Sequence, residues 1–227
     1  MASRPVYIPN VKGKALVTPV SVEFKWIAGM SVSQKQKCIH SLHEAAAQRK
    51  IVKVLEISSK SENPLGVKLS AFNLHIVTPS GMKTTVENAF QASKVYRNGG
   101  PYLDLLETTP REAKKDSRLN TSGDLVGFRL EGEDWPTRPI TAFYDWLYLS
   151  ALRQSPTLAE QLLEFDGFTD IEFNPERSLN CQAASAALFV VLTRRGEFEA
   201  VTSNRYSFLE RLNASRVTSR PMQSSLF

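Results

Sequence analysis

Thr84-Thr85-Val86-Glu87-Asn88-Ala89-Phe90-Gln91-Ala92-Ser93-Lys94 follows the turn signal Pro79-Ser80-Gly81. Thr84 stands three residues before Glu87, the spacing of a capping box, and predicts a helix that starts here. On that helix Glu87, Gln91 and Lys94 fall at i, i+4 and i+7 and form one polar line. Val86, Ala89, Phe90 and Ser93 make a small, mostly apolar opposite face. A carboxylate, an amide and an ammonium aligned in this way suit a site that protonates and holds a sugar-like ligand. In the competing reading Glu87 only caps the helix and Lys94 only charges its surface. Spacing alone favours that second reading, because capping boxes far outnumber catalytic helix starts.

Before this stretch, Val20, Val22, Phe24 and Trp26 alternate with polar residues and predict a half-buried strand. Ser33-Gln34-Lys35-Gln36 offers a cap for a helix that reaches about Gln48, with Ile39, Leu42 and Ala46 on its inner face. Ile51–Ile57 reads as a buried strand, and Val67–Thr78 has further strand character. After it, Thr109-Pro110-Arg111-Glu112 is a second box with proline at the first helical position. Asn120–Pro139 carries Gly and Pro breakers and reads as a long loop with a short strand. Ile140, Phe143, Tyr144, Leu147, Tyr148, Ala151 and Leu152 recur at helical spacing. A shorter helix restarts at Ser155-Pro156, 166–179 reads as loop, and Cys181–Leu192 forms a helix rich in small residues that Gly196 stops. The last dozen residues, rich in Ser and Arg, are expected to lack order. The fold class is α+β: a helix-rich single domain with strands mainly in the N-terminal third. Its expected divisions are a basic strand-helix-strand region over 1–61, a main domain over 62–200 and a C-terminal segment over 201–227.

With 227 residues the chain can bury a substantial core. Residues 1–60 carry ten Lys/Arg against three acids, whereas 61–202 carry fourteen against nineteen. The basic first quarter fits a phosphate-tracking face, and equally an uneven solvated surface. Cys38 and Cys181 lie far apart without metal-ligand spacing, and His40, His43 and His75 show none either, so neither metal nor cofactor is expected. Absence of a long apolar run or a signal-like N-terminus predicts a cytoplasmic protein without membrane attachment.

Four motifs and a glycine turn follow one another in order. They are Leu69-Ser70-Ala71-Phe72, then the turn glycine Gly81, then Val86-Glu87-Asn88-Ala89-Phe90-Gln91-Ala92-Ser93-Lys94. Thr109-Pro110-Arg111-Glu112-Ala113 with Arg118 follows, and Asp170-Ile171-Glu172-Phe173-Asn174 with Asn180 completes the set. In order and spacing they resemble the NADAR family, and the similarity spans roughly residues 62–195. Ala71, Asn88 and Phe173-Asn174 depart from the family's asparagine, histidine and Trp-Gly. The N-terminal sixty residues and the wording Phe168–Pro175 resemble the branch of antitoxins encoded beside DarT-type toxins, which attach ADP-ribose to DNA. The resemblance implies a NADAR-type fold and an N-glycosidase that removes ADP-ribose from the guanine amino group. ADP-ribosylated DNA is then the partner, with direct contact to the toxin left open. Alternatives are an N-glycosidase on small ribosylated metabolites such as riboflavin precursors, and a module that binds ADP-ribosylated DNA without turnover.

Cleaving that bond requires an acid for the departing amine, stabilisation of the sugar cation, and water. The resemblance makes Glu87 the first candidate acid/base and Asp170 the second carboxylate. If 170–172 is extended, Asp170 and Glu172 point to one side. Lys94 is the candidate for a Schiff base, with Lys25, Lys35 and Lys37 as alternatives. Ser70, Phe72, Gln91, Glu172 and Asn180 are candidates to shape the ribose pocket, Arg118 to pair a diphosphate and Trp135 to stack on a base.

Overall fold

The computed structural model describes residues 1–174 and 179–216. Residues 217–227, within the tail expected to lack order, lie outside the described residues. The chain begins with strands β1 (Ala2–Pro9) and β2 (Val17–Phe24), helix α1 (Val32–Gln48), strand β3 (Val54–Glu56) and helix α2 (Pro64–Lys68). Strands β4 (His75–Val77) and β5 (Lys83–Thr85) lead into helix α3 (Val86–Ala92) and strand β6 (Lys94–Tyr96). A 3-10 turn (Leu103–Glu107) precedes α4 (Pro110–Lys115), α5 (Arg118–Thr121) and the hairpin β7 (Leu125–Leu130) and β8 (Glu133–Trp135). The second half holds α6 (Ala142–Arg153), α7 (Pro156–Leu162), strand β9 (Gly167–Thr169), α8 (Gln182–Arg194), α9 (Phe198–Val201) and α10 (Arg205–Arg216). The architecture is α+β, as the sequence predicts.

The principal sheet has the order β2-β1-β9-β3. The hairpin β1–β2 therefore shares a sheet with β9, from far along the chain, through Tyr7 opposite Phe168. β3 runs parallel to β9, with Glu56 opposite Thr169. β9 falls where the sequence reads as loop: three residues starting with glycine give no period-two signal. Its glycine answers to packing, since a Cβ at Gly167 would lie 3.0 Å from both Ile51 and Val6 side chains. Val67, read as strand, falls in α2, whose start Asn63 caps by accepting from the Leu65 N–H. The 120–139 stretch is a hairpin rather than a long loop, with Phe128 opposite Trp135.

All seven residues of α3 are buried, so this helix is the centre of the domain and not a surface element. Its cap is Thr85, whose hydroxyl accepts from Asn88 N at 3.1 Å and donates to Asn88 Oδ1 at 2.5 Å. Thr84, one residue early in the sequence reading, instead donates to the Leu106 carbonyl. Asn88 also donates to the Leu105 and Thr108 carbonyls, tying α3 to the 3-10 turn. That division of labour has a consequence for chemistry: Glu87 is released from capping. At the other end α3 stops at Ala92, so Lys94 opens β6 and is not a third rung of the helix.

Beneath α3 an aromatic series runs from Phe90 to Phe128 (5.5 Å), Phe143 (4.7 Å) and Trp135 (5.5 Å), then to Trp146 (5.1 Å). Trp135 is 3 % exposed and belongs to this core. The Gly/Pro-rich stretch that reads as a loop with a short strand is a hairpin, and Trp135 at the end of β8 packs on Phe143 and Trp146 of α6. Trp135→Ala is expected to lower stability by about 3–5 kcal/mol in chemical denaturation, as for large aromatics lost from cores. Affinity for ligand in the remaining folded protein should be unchanged.

Candidate active site

Between α3, α4, β9 and the start of α8 lies a cleft of about 840 Å³. It gathers Glu87, Lys94, Asp170, Ser70, Phe72, Gln91, Glu172 and Asn180 from the sequence-predicted set. Two of the residues predicted to bind substrate stay outside. Trp135 is core, and Arg118 is held by Asp104 (2.6 Å) and Asp116 (2.9 Å) while stacking on Tyr102. An arginine already paired with two local carboxylates has little left for a diphosphate.

Glu87 is 5 % exposed, and its Oε1 accepts from Gln91 Nε2 at 2.8 Å. Lys114 Nζ approaches the same oxygen at 3.9 Å. The i, i+4 pairing read from sequence is therefore present, with the amide steadying the carboxylate. Lys94 places its Nζ 4.8 Å from the centre of the Phe90 ring. Burial lowers its pKa to about 8, the Glu87 charge pulling upward and Lys114 pushing down. At neutral pH an appreciable fraction of this lysine is the free amine.

Asp170 follows β9 directly. Its Oδ1 accepts from the backbone N–H groups of Glu172 (3.0 Å) and Phe173 (3.1 Å). The segment is thus a turn closed on the aspartate, so the condition under which Asp170 and Glu172 would share a side by strand alternation is not met. Burial and, second, the neighbouring Glu56 carboxylate raise the Asp170 pKa, outweighing the hydrogen bonds that favour its ionised form. Glu172 pairs with Lys35 at 3.4 Å, and Lys35 stacks 5.1 Å from the Trp26 ring. Lys35 lines the cleft, whereas Lys25 and Lys37 are exposed and do not.

Several cleft residues escaped the sequence reading. Arg111, Lys114 and Lys115 of α4 form a basic wall, and the Lys114 ammonium sits 5.1 Å from the Phe72 ring. One signal was present: Arg111 stands in the first turn of a helix, where the helix dipole disfavours a cation. Tyr144, one of the residues at helical spacing along α6, is 6 % exposed yet lines the cleft. Burial and then the Glu87 charge keep its phenol protonated, with Asp170 contributing further. Gln182 donates to the Ile57 carbonyl and accepts from Ala71 N, both at 2.7 Å, and so joins the two walls. Nothing in its sequence context distinguishes it from any first-turn glutamine.

This combination of a carboxylate-bearing buried helix, a lysine behind it and an aspartate turn opposite coincides with a family match over residues 2–221. The chain belongs to the DarT1-associated NADAR antitoxin family. No curated protein matches it in sequence. The NADAR match takes in β1, β2 and α1 as well as the 62–195 stretch that carries the four motifs. Membership gives the protein a DarT1-associated antitoxin role within a glycosidase-like family. Among the described residues no helix is long and apolar enough to cross a membrane.

Proposed function

We propose that the protein is an N-glycosidic hydrolase that removes ADP-ribose from the guanine amino group in DNA, undoing the modification made by a DarT-type toxin. The observation that carries this reading is the meeting of Glu87, Lys94 and Asp170 in one cleft beside the basic wall of α4. A sugar diphosphate needs cations to receive its phosphates and donors and acceptors for its ribose, and this cleft supplies both kinds of group.

In this reading the two carboxylates take different roles. Burial and then the Glu56 charge raise the Asp170 pKa, which suits Asp170 to carry the proton for the leaving amine. Glu87, beside Lys94 and steadied by Gln91, serves as base. The free amine of Lys94 forms a bond to the anomeric carbon as the bond from that carbon to the guanine nitrogen breaks. The electron pair stays on the guanine nitrogen, which takes its proton from Asp170, while the lysine proton passes to Glu87. Glu87 returns that proton to the ring oxygen as the sugar opens to the imine. Water then adds to the same carbon of the protonated imine, giving one proton to Asp170, and the proton of the new hydroxyl passes to the lysine nitrogen as the bond from carbon to lysine breaks and the aldehyde of ADP-ribose forms. The net reaction consumes one water and releases guanine with its amino group free and ADP-ribose.

The test is a guanine-ADP-ribosylated DNA oligonucleotide with protein at a small fraction of its concentration. Many equivalents of free ADP-ribose are expected. Retention of the modified strand by one equivalent of protein, with nothing released, would replace the hydrolase by a binding module.

A further inference from the structure

The mechanism leaves one buried carboxylate unused. Glu56, at the end of β3, is 2 % exposed. Its two oxygens bind residues on either side of Asp170: Oε2 accepts from the Thr169 hydroxyl at 2.7 Å, and Oε1 accepts from Ile171 N at 2.8 Å. Behind Thr169, the His43 Nε2 lies 2.9 Å from the same hydroxyl. Because that hydroxyl donates to Glu56, the imidazole donates to the hydroxyl, and the chain runs His43 to Thr169 to Glu56.

We propose that Glu56 is the positioning residue of this site, a buried clamp that fixes Asp170 by both of its neighbours. A carboxylate removed from water requires strong compensation, usually a cation. Among the described residues the groups that meet Glu56 are hydrogen-bond donors, the Thr169 hydroxyl and Ile171 N. Burial lowers the His43 pKa to about 4, so the imidazole beside the clamp is neutral near pH 7. Tyr7 from β1, Tyr144 and Tyr148 from α6 and Cys181 ahead of α8 also face the pair, and burial raises the pKa of each. Glu172 adds a further acid, already paired with Lys35. Burial and then the Glu56 charge raise the Asp170 pKa, which favours its protonated form. The clamp thus sets the aim of Asp170 and also keeps it charged with the proton it must deliver. This inference rests on the catalytic reading of Asp170.

Glu56→Gln is the discriminating variant. A glutamine can accept from Ile171 N and donate to Thr169, whose hydroxyl then donates to the other tautomer of His43, so the packing survives. The variant should lose roughly a hundredfold in kcat with little change in KM, as expected for a misaimed catalytic group. Removing the neighbouring negative charge should also let Asp170 ionise at lower pH. A carbon-detected NMR titration of the Asp170 carboxyl then shows a downward shift, and the alkaline limb of the rate profile moves with it. Thr169→Val, which deletes one donor without changing shape, should give a smaller loss of the same kind and serves if Glu56→Gln folds poorly. An Asp170 titration identical in wild type and variants overturns the proposal, whatever the protein hydrolyses. Loss of activity in Asp170→Asn beside unaltered Glu56→Gln kinetics overturns the clamp alone. Full activity in Asp170→Asn removes the catalytic reading and the clamp with it.

Discussion

Glu87→Gln should reduce turnover of guanine-ADP-ribosylated DNA by about a thousandfold, the middle of the range for loss of a general acid or base. The substitution keeps the shape of the side chain and its contact with Gln91 Nε2, now through the amide oxygen. Affinity for ADP-ribose should therefore stay within a few-fold of wild type in calorimetry. The variant also reports on its neighbour. The Glu87 charge raises the Lys94 pKa against the larger effect of burial. With that charge gone, Lys94 gives up its proton at lower pH, and the acid limb of the residual activity shifts downward. An unchanged turnover number would end the assignment of Glu87, and a lost ligand affinity would make it a binding group.

Lys94→Met should abolish both turnover and covalent trapping, a loss on the order of a thousandfold or more, as when a nucleophile is removed from a working set. Borohydride added during turnover should fix ADP-ribose to the wild-type chain at Lys94 and leave the variant unlabelled. The sign of the pH effect follows from the attacking form. The neutral amine attacks, so the rate rises with pH until Lys94 has lost its proton, and the acid limb levels at about 8. An ordinary lysine would keep rising to about 10.4. Label recovered at Lys35, which lines the same cleft, would transfer the covalent role there and refute the assignment of Lys94.

Local signals carried well from sequence to structure. Thr109 and Glu112 form the reciprocal box that their spacing predicts, with proline at the head of α4. The long core helix beginning near Pro139 and the small-residue helix after Cys181 are both present as α6 and α8. Glu87 and Gln91 meet because i and i+4 on a helix must meet. What failed was decided by distant partners. Trp135 became core because a hairpin folds onto α6, and no neighbour in sequence announces that contact. Arg118 was captured by Asp104, fourteen residues away, as well as by Asp116 close at hand. The helix start slipped by one residue because Thr84 and Thr85 both satisfy the pattern loosely, and only Thr85 meets an unpaired N–H. Asp170 was legible through the family motif. Its partner Glu56 was not, since the two come together through the parallel pairing of β3 and β9.

Gln182 gives this architecture a bearing on timing. Its amide fastens Ala71 to Ile57 from 111 residues downstream of the first. A nascent chain whose residue 182 is still inside the ribosome has neither that brace nor α8 behind β9, and so no finished cleft. Local helices form early in synthesis, while pairings this remote wait for the chain to emerge. Completion of this cleft therefore waits for residue 182 and α8 to emerge, late in the synthesis of the 227-residue chain.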